Sequence, residues 1–197
     1  KFILFIHYKL YHMKKLFFLL ITCLLGLDIG DMLAQEGVTA IPANDFLNSI
    51  GVNSAIYRRG ENVNSTIACA NYLGSRWIRT DESGLDTRGD VVSDIRTLYD
   101  QAGVKVSVSL GSGGSNISRV VQGAKKIAAY GGLVAIEGNN EPNNWGITYQ
   151  GQVGGRGDSW VAVARLHRDL YSAVRAESDL ADYPVWLTTE TGAETDN

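Results

Sequence analysis

Apolar positions along the chain alternate between two spacings. Phe46–Ile56 is a short apolar-rich run that predicts a first strand. Val63, Ile67, Ala70 and Leu73 then recur at helical spacing up to Gly74. Ser75–Thr80 predicts a second strand. Asp90 suits a helix N-cap, and Val91, Ile95, Leu98 and Ala102 form one face of a helix that stops at Gly103. Val104–Leu110 is rich in β-branched residues and predicts a third strand. The turn Gly111-Ser-Gly-Gly-Ser follows. Asn116 can cap a helix carrying Ile117, Val120, Val121, Ala124 and Ile127, ended by Gly131-Gly132. Leu133–Ile136 predicts a fourth strand, and a polar loop runs from Asn139 to about Asp158. Trp160–Glu177 is a long amphipathic helix with Val163, Leu166, Leu170 and Val174 on one side, and Pro184–Thr189 predicts the last strand.

The predicted strands start near residues 50, 76, 105, 133 and 184. Their early spacing is that of a single β-α unit. Regular alternation of this kind implies parallel strands covered by helices. A doubly wound open sheet and a (β/α)8 barrel both satisfy it. Gly111–Asn116 reads G-x-G-x-x-N, with Asn where the dinucleotide fingerprint needs Gly for close helix packing. A tight turn followed by an N-cap accounts for it better. The expected fold is therefore a (β/α)8 barrel, truncated after about strand five, because a whole barrel takes ~250 residues.

The N-terminal pattern differs. Met13-Lys14-Lys15 followed by the apolar run Leu16–Leu27 has the design of a signal peptide, with cleavage expected after Ala34. Residues 1–12 precede that start and read as translated upstream sequence, and residues 35–45 as a linker to a barrel portion over 46–197. The expected location is secreted, periplasmic or cell-surface, without stable membrane insertion after cleavage. Removal of the leader takes away His7, His12 and Cys23, leaving His167 and Cys69. One His and one Cys cannot form a His-rich zinc site, a Cys cluster or an internal disulfide. The formal net charge of -3 gives no electrostatic reason for a nucleic-acid partner. Catalysis, if any, must then rest on carboxylates, hydroxyls and amides. No cofactor is implied, although a structural calcium stays open.

Barrel enzymes carry their chemistry at the C-terminal ends of strands. Those ends are Arg79–Glu82, Gly111–Asn116, Asn139–Trp145 and Glu190–Gly192. Asn140-Glu141-Pro142 is the sharpest signal: a carboxylate for proton transfer, an amide beside it to bind a hydroxyl, and a proline that ends the strand ladder. The run Ala135-Ile-Glu-Gly-Asn-Asn-Glu-Pro-Asn143 resembles the A-x-E-G-P-N-E-P-[ND] motif of secreted bacterial members of the (β/α)8 retaining glycoside hydrolase clan. The likeness extends over about Phe46–Thr189, including Ile50-Gly-Val-Asn53 and Trp77-Ile-Arg79. It implies Glu141 as general acid/base, Asn140 as a contact to the sugar 2-hydroxyl and Arg79 as a support for the catalytic carboxylates. Asn139 stands where relatives often have Pro, and Ala55 where they often have His.

The clan's nucleophile is a Glu at the end of strand seven, beyond Asn197. Retaining hydrolysis needs two carboxyls ~5–5.5 Å apart. Their mutual repulsion raises one pKa and keeps the acid protonated. The chain as given is accordingly expected to be inactive and poorly folded, with strand edges one and five unpaired and its inner face uncovered. The full-length protein is expected to be an exported glycoside hydrolase acting on a poly- or oligosaccharide. A non-catalytic carbohydrate-binding barrel is the alternative, and a nucleotide-dependent open-sheet enzyme a weaker one.

Other residues have plainer readings beside functional ones. Glu137 shares strand parity with Asn139 and Glu141, and a buried ion pair with Arg79 suits it better than catalysis. Trp145 suits either stacking on a sugar ring or packing under its loop. Glu190 is a candidate for the cleft wall, and Asp81 and Glu82 for substrate contact or a solvated loop. His167 reads as a satisfied histidine on a helix surface and Cys69 as a small apolar helix residue. Arg88-Gly-Asp90 and Arg156-Gly-Asp158 read as chance tripeptides rather than integrin motifs.

Overall fold

A computed structural model describes residues 40–54, 56, 62–81, 89–157 and 159–192. The segment expected to be a leader, Ala55, Glu82, Arg88 and Asp158 lie outside them. The elements run α1 (Ala43–Asn48), β1 (Val52–Asn53), α2 (Val63–Leu73), β2 (Trp77–Asp81), α3 (Gly89–Ala102), β3 (Lys105–Gly111) and α4 (Ile117–Ala128). They continue as β4 (Leu133–Asn139), α5 (Pro142–Trp145), β5 (Ile147–Tyr149), β6 (Gln152–Gly154), α6 (Val161–Ala176) and β7 (Val185–Trp186). Five strands form one parallel sheet in the order β1-β2-β3-β4-β7. The fold is α/β, with helices alternating with parallel strands. Spatial order follows chain order throughout, without the reversal that makes the ligand crevice of a doubly wound sheet.

The two faces of β3 show how sequence makes this layer. Val106, Val108 and Leu110 alternate with Ser107 and Ser109, so period-2 geometry sends the two sets to opposite faces. The apolar set packs with Ile78 of β2 and Ile136 of β4 into a core with Leu98, Val120, Ala124, Ile127, Leu166 and Leu170, all almost fully buried. Complete burial of each such Leu, Ile or Val contributes about 1.5–3 kcal/mol. The serine set shares the other face with Arg79 and Glu137, its register partners on β2 and β4.

That second face is concave. The rings of Trp77 on β2 and Trp186 on β7 lie 5.5 Å apart, centroid to centroid. Two strands separate β2 from β7, and in a flat sheet three strand spacings amount to about 14 Å. Only strong curling brings the rings together. Ser107, Ser109, Glu137 and Asn139 are buried on or beside this face. The expectation of an uncovered inner face therefore fails for the central strands, because the sheet closes over its own polar residues.

Local signals set several boundaries. The Asn62 side chain accepts from Ser65 N at 2.9 Å to start α2, and Gly74 ends it in the left-handed conformation. The Asn116 side chain accepts from Arg119 N at 3.0 Å at the start of α4. Other expectations need correction. Phe46 and Leu47 belong to helix α1, and the first strand shrinks to Val52–Asn53. Arg76 donates to the side chains of Asn44 and Asn48, which anchors that short helix from outside it. Asp90 lies inside α3 rather than capping it. β4 runs three residues beyond Ile136. The stretch after Asn139 is no plain loop: it holds α5 and the antiparallel hairpin β5-β6.

Candidate active site

The C-terminal edge of the sheet gathers the polar residues. Arg79 Nε donates to Glu137 Oε2 at 2.6 Å, and Ser107 Oγ donates to Glu137 Oε1 at 2.5 Å. Both oxygens of a carboxylate that is only 3% exposed are thereby bonded. A buried charge persists only when paired and hydrogen-bonded, so the ion pair read from strand parity is present and Glu137 is committed to structure.

The same guanidinium reaches further. Arg79 Nη1 donates to Asn140 Oδ1 at 2.9 Å, and Nη2 donates to Thr189 Oγ1 at 3.3 Å. Thr189 Oγ1 donates in turn to Asn140 Oδ1 at 3.2 Å. Because the Asn140 oxygen is the shared acceptor, its NH2 group must face away from Arg79. One of its hydrogens goes to Ser112 Oγ at 3.0 Å. The second has no partner among the described residues. Arg79 thus orients Asn140 and buries the charge of Glu137 at once.

Glu141 follows in an unusual backbone state, with φ 50° and ψ 57°. The left-handed region costs an L-residue with a Cβ about 1–2 kcal/mol. Neighbouring bonds impose it. Asn140 N donates to Gly111 O at 3.1 Å, Glu141 N to Thr189 O at 2.8 Å, and Thr189 N to Asn139 O at 3.1 Å. The chain is clamped between β3 and the segment after β7, then must turn sharply into Pro142. Proline is tolerated at this first helical position because its missing N–H would have no partner there. Among the described residues the half-buried Glu141 carboxylate accepts a single side-chain bond, from Asn144 Nδ2 at 3.2 Å, and is otherwise available.

Asn139, one of the departures from the clan pattern, is buried. Its Nδ2 donates to Gly114 O at 2.5 Å and lies 3.4 Å from Gly111 O. It ties the glycine turn after β3 to the end of β4, which a proline would not do. Trp145 closes α5 and is 58% exposed, so packing beneath the loop is excluded. It lines an open groove with Gly113, Ser115, Thr148, Val153 and Arg156. The hairpin beside it is held by Tyr149 Oη, which donates to Asp169 Oδ2 at 2.9 Å on α6. Arg168 and Tyr149 hold the Asp169 carboxyl below the usual carboxylate range.

Three candidates fall elsewhere. Glu190 is exposed and stays outside the Arg79 network; its neighbour Thr189 enters instead. His167 is not a satisfied surface residue. Its ring packs against Gly138, Nδ1 is buried without a hydrogen-bond partner among the described residues, and burial lowers its pKa. Cys69 is an exposed free thiol on α2. The side chain of Asp81 and all of Glu82 lie outside the described residues. Ser107, Ser112 and Thr189 were not singled out in the sequence. For Ser107 the signal was present, as a serine at the inward position of a strand of valines.

Among the described residues no group of three or more His, Cys, Asp or Glu side chains is arranged to hold a metal ion, and no helix is long and apolar enough to cross a membrane. No protein-family model matches the chain, and no curated protein is significantly similar to it.

Proposed function

We propose that the chain is part of an exported glycoside hydrolase of the (β/α)8 type, acting on a poly- or oligosaccharide with Glu141 as general acid/base. One observation carries the reading. An available carboxylate sits in a strained, over-determined turn at the C-terminal edge of a parallel sheet, directly after an amide whose orientation is fixed by a partly buried guanidinium. Strained non-glycine residues cluster at functional sites. The sequential strand order and the curling that brings Trp77 to Trp186 support the barrel. In this reading Glu141 protonates the leaving glycosidic oxygen and then takes a proton from water as it attacks the glycosyl-enzyme. Asn140 donates its remaining N–H to the hydroxyl next to the anomeric carbon. Arg79 contacts no substrate; it positions Asn140.

The test is Glu141→Gln in the full-length protein, assayed on a panel of aryl glycosides and oligosaccharides. Loss of a general acid/base predicts a fall in turnover of about 10²–10⁴-fold with the fold retained by circular dichroism. Undiminished Glu141→Gln turnover would remove the assignment. Sugar binding without any hydrolysis would favour the non-catalytic binding barrel.

A further inference from the structure

Resting on the carbohydrate reading above, we infer that the groove at the end of α5, the short helix that follows Glu141, is a subsite for an anionic sugar ring, one carrying a carboxylate or a sulfate ester. The groove has a volume of about 440 Å³ and lies between the glycine turn after β3, the end of α5 and the hairpin. That volume is enough to seat a pyranose ring. Trp145 contributes an exposed indole to one wall, the apolar platform on which the C–H face of a sugar rests. Ser115 and Thr148 contribute hydroxyls.

The charge comes from Arg156. It lines the groove and makes no side-chain hydrogen bond or ion pair among the described residues. Every other arginine in this region has a partner: Arg79 has Glu137, Arg165 has Gln152 and Arg168 has Asp169. Arg156 is also held in place at a cost, with φ 45° in the left-handed region. The residue before it explains why. Gly155 packs directly on the Pro142 carbonyl, where a Cβ would overlap the backbone. The chain after the hairpin is therefore pressed against the residue that follows Glu141, and Arg156 is delivered to the groove. A planar guanidinium with five donors matches a carboxylate or sulfate bidentately, while a neutral sugar would leave it unneutralised.

The experiment uses the full-length protein and calorimetric titration. The probes are oligogalacturonate and a glucuronate-containing oligosaccharide, each paired with its carboxyl-reduced counterpart, and a sulfated galactan oligosaccharide paired with its desulfated form. At least one charged probe is expected to bind about ten- to a hundredfold more tightly than its neutral partner. Which pair shows the gap separates carboxylate from sulfate. Arg156→Gln should abolish the preference while keeping neutral binding, and Trp145→Ala should weaken both members of a pair together. Equal affinity within every pair, absence of binding to all probes, or a preference that survives Arg156→Gln would each overturn the proposal. Hydrolysis by Glu141→Gln separates the two claims. If that variant still hydrolyses the sugar while the Arg156-dependent preference holds, the acid/base assignment fails and the subsite stands.

Discussion

The Arg79 cluster and the Glu141–Arg156 rim meet at consecutive residues, Asn140 and Glu141, and are built on opposite rules. In the cluster, one guanidinium bonds Glu137, Asn140 and Thr189, and both Glu137 oxygens are occupied. Its members lie on strands or are bonded to strand backbone. On the rim, Glu141 accepts a single side-chain bond, Trp145 is exposed, Arg156 is unpaired among the described residues, and Glu141 and Arg156 both occupy left-handed backbone. The cluster spends its hydrogen-bonding capacity on itself. The rim keeps its capacity unspent and is held by backbone contacts instead. Polar groups in a site are useful only if something else fixes them, and here backbone contacts to Gly111, Thr189 and Pro142 do the fixing.

This contrast is broken most severely from the buried side. Arg79→Met leaves the Glu137 carboxylate buried with only Ser107 as partner, and removing one member of a buried pair costs about 3–5 kcal/mol. A lower urea midpoint for Arg79→Met is expected. The double variant Arg79→Met/Glu137→Met should be more stable than the single one, since no uncompensated charge is left. If the single change costs less than about 1 kcal/mol, the pair is a surface-like ion pair and the division between the two regions fails.

On the rim the sign reverses. Glu141→Gly removes a Cβ from a left-handed position, which relieves about 1–2 kcal/mol, while the looser unfolded chain takes back about 0.4–1 kcal/mol. A net gain near 0.5–1 kcal/mol is expected by urea unfolding, together with loss of hydrolysis. Stability lost rather than gained at this position would show that the carboxylate contributes to the fold and would blur the contrast.

The buried region was also the more legible in sequence. Glu137 could be paired with Arg79 because strand parity aims both at the inner face and a buried charge demands a partner. Parity then fails at the next step. Asn140, one residue out of phase with Glu137, still reaches Arg79, because the ladder ends in an isolated bridge to Thr189 and the chain turns at Glu141. No alternation pattern encodes that turn; it follows from long-range backbone bonds to Gly111 and Thr189. The hairpin is illegible in sequence for a related reason. Its strands are three residues each, too short for a period, and its anchors, Asp169 and Pro142, lie on other elements. Helix α1 reads as strand in sequence because a six-residue run with Phe46 and Leu47 fits either period.

The smallest expected effect lies on the opposite side of β4, behind both regions. His167 packs against Gly138, and desolvation lowers its pKa from the ordinary value of 6.5. The unfolded chain therefore binds a proton at a higher pH than the folded chain does. Where the unfolded histidine is protonated and the folded one is not, the unfolded state holds more protons, and stability rises with pH. The contribution is complete above the unfolded pKa and is lost as pH falls through it towards the folded value. Urea midpoints measured between about pH 5 and pH 7.5 should decline on the acid side in the wild type and decline less in His167→Gln. Every other titrating group, His7 and His12 included, is common to both proteins, so the difference in slope belongs to His167. Parallel profiles would mean that the imidazole gains a proton in place, with Nδ1 finding water or an acceptor; the packing behind Gly138 would then be looser than the tight contact at β4 implies.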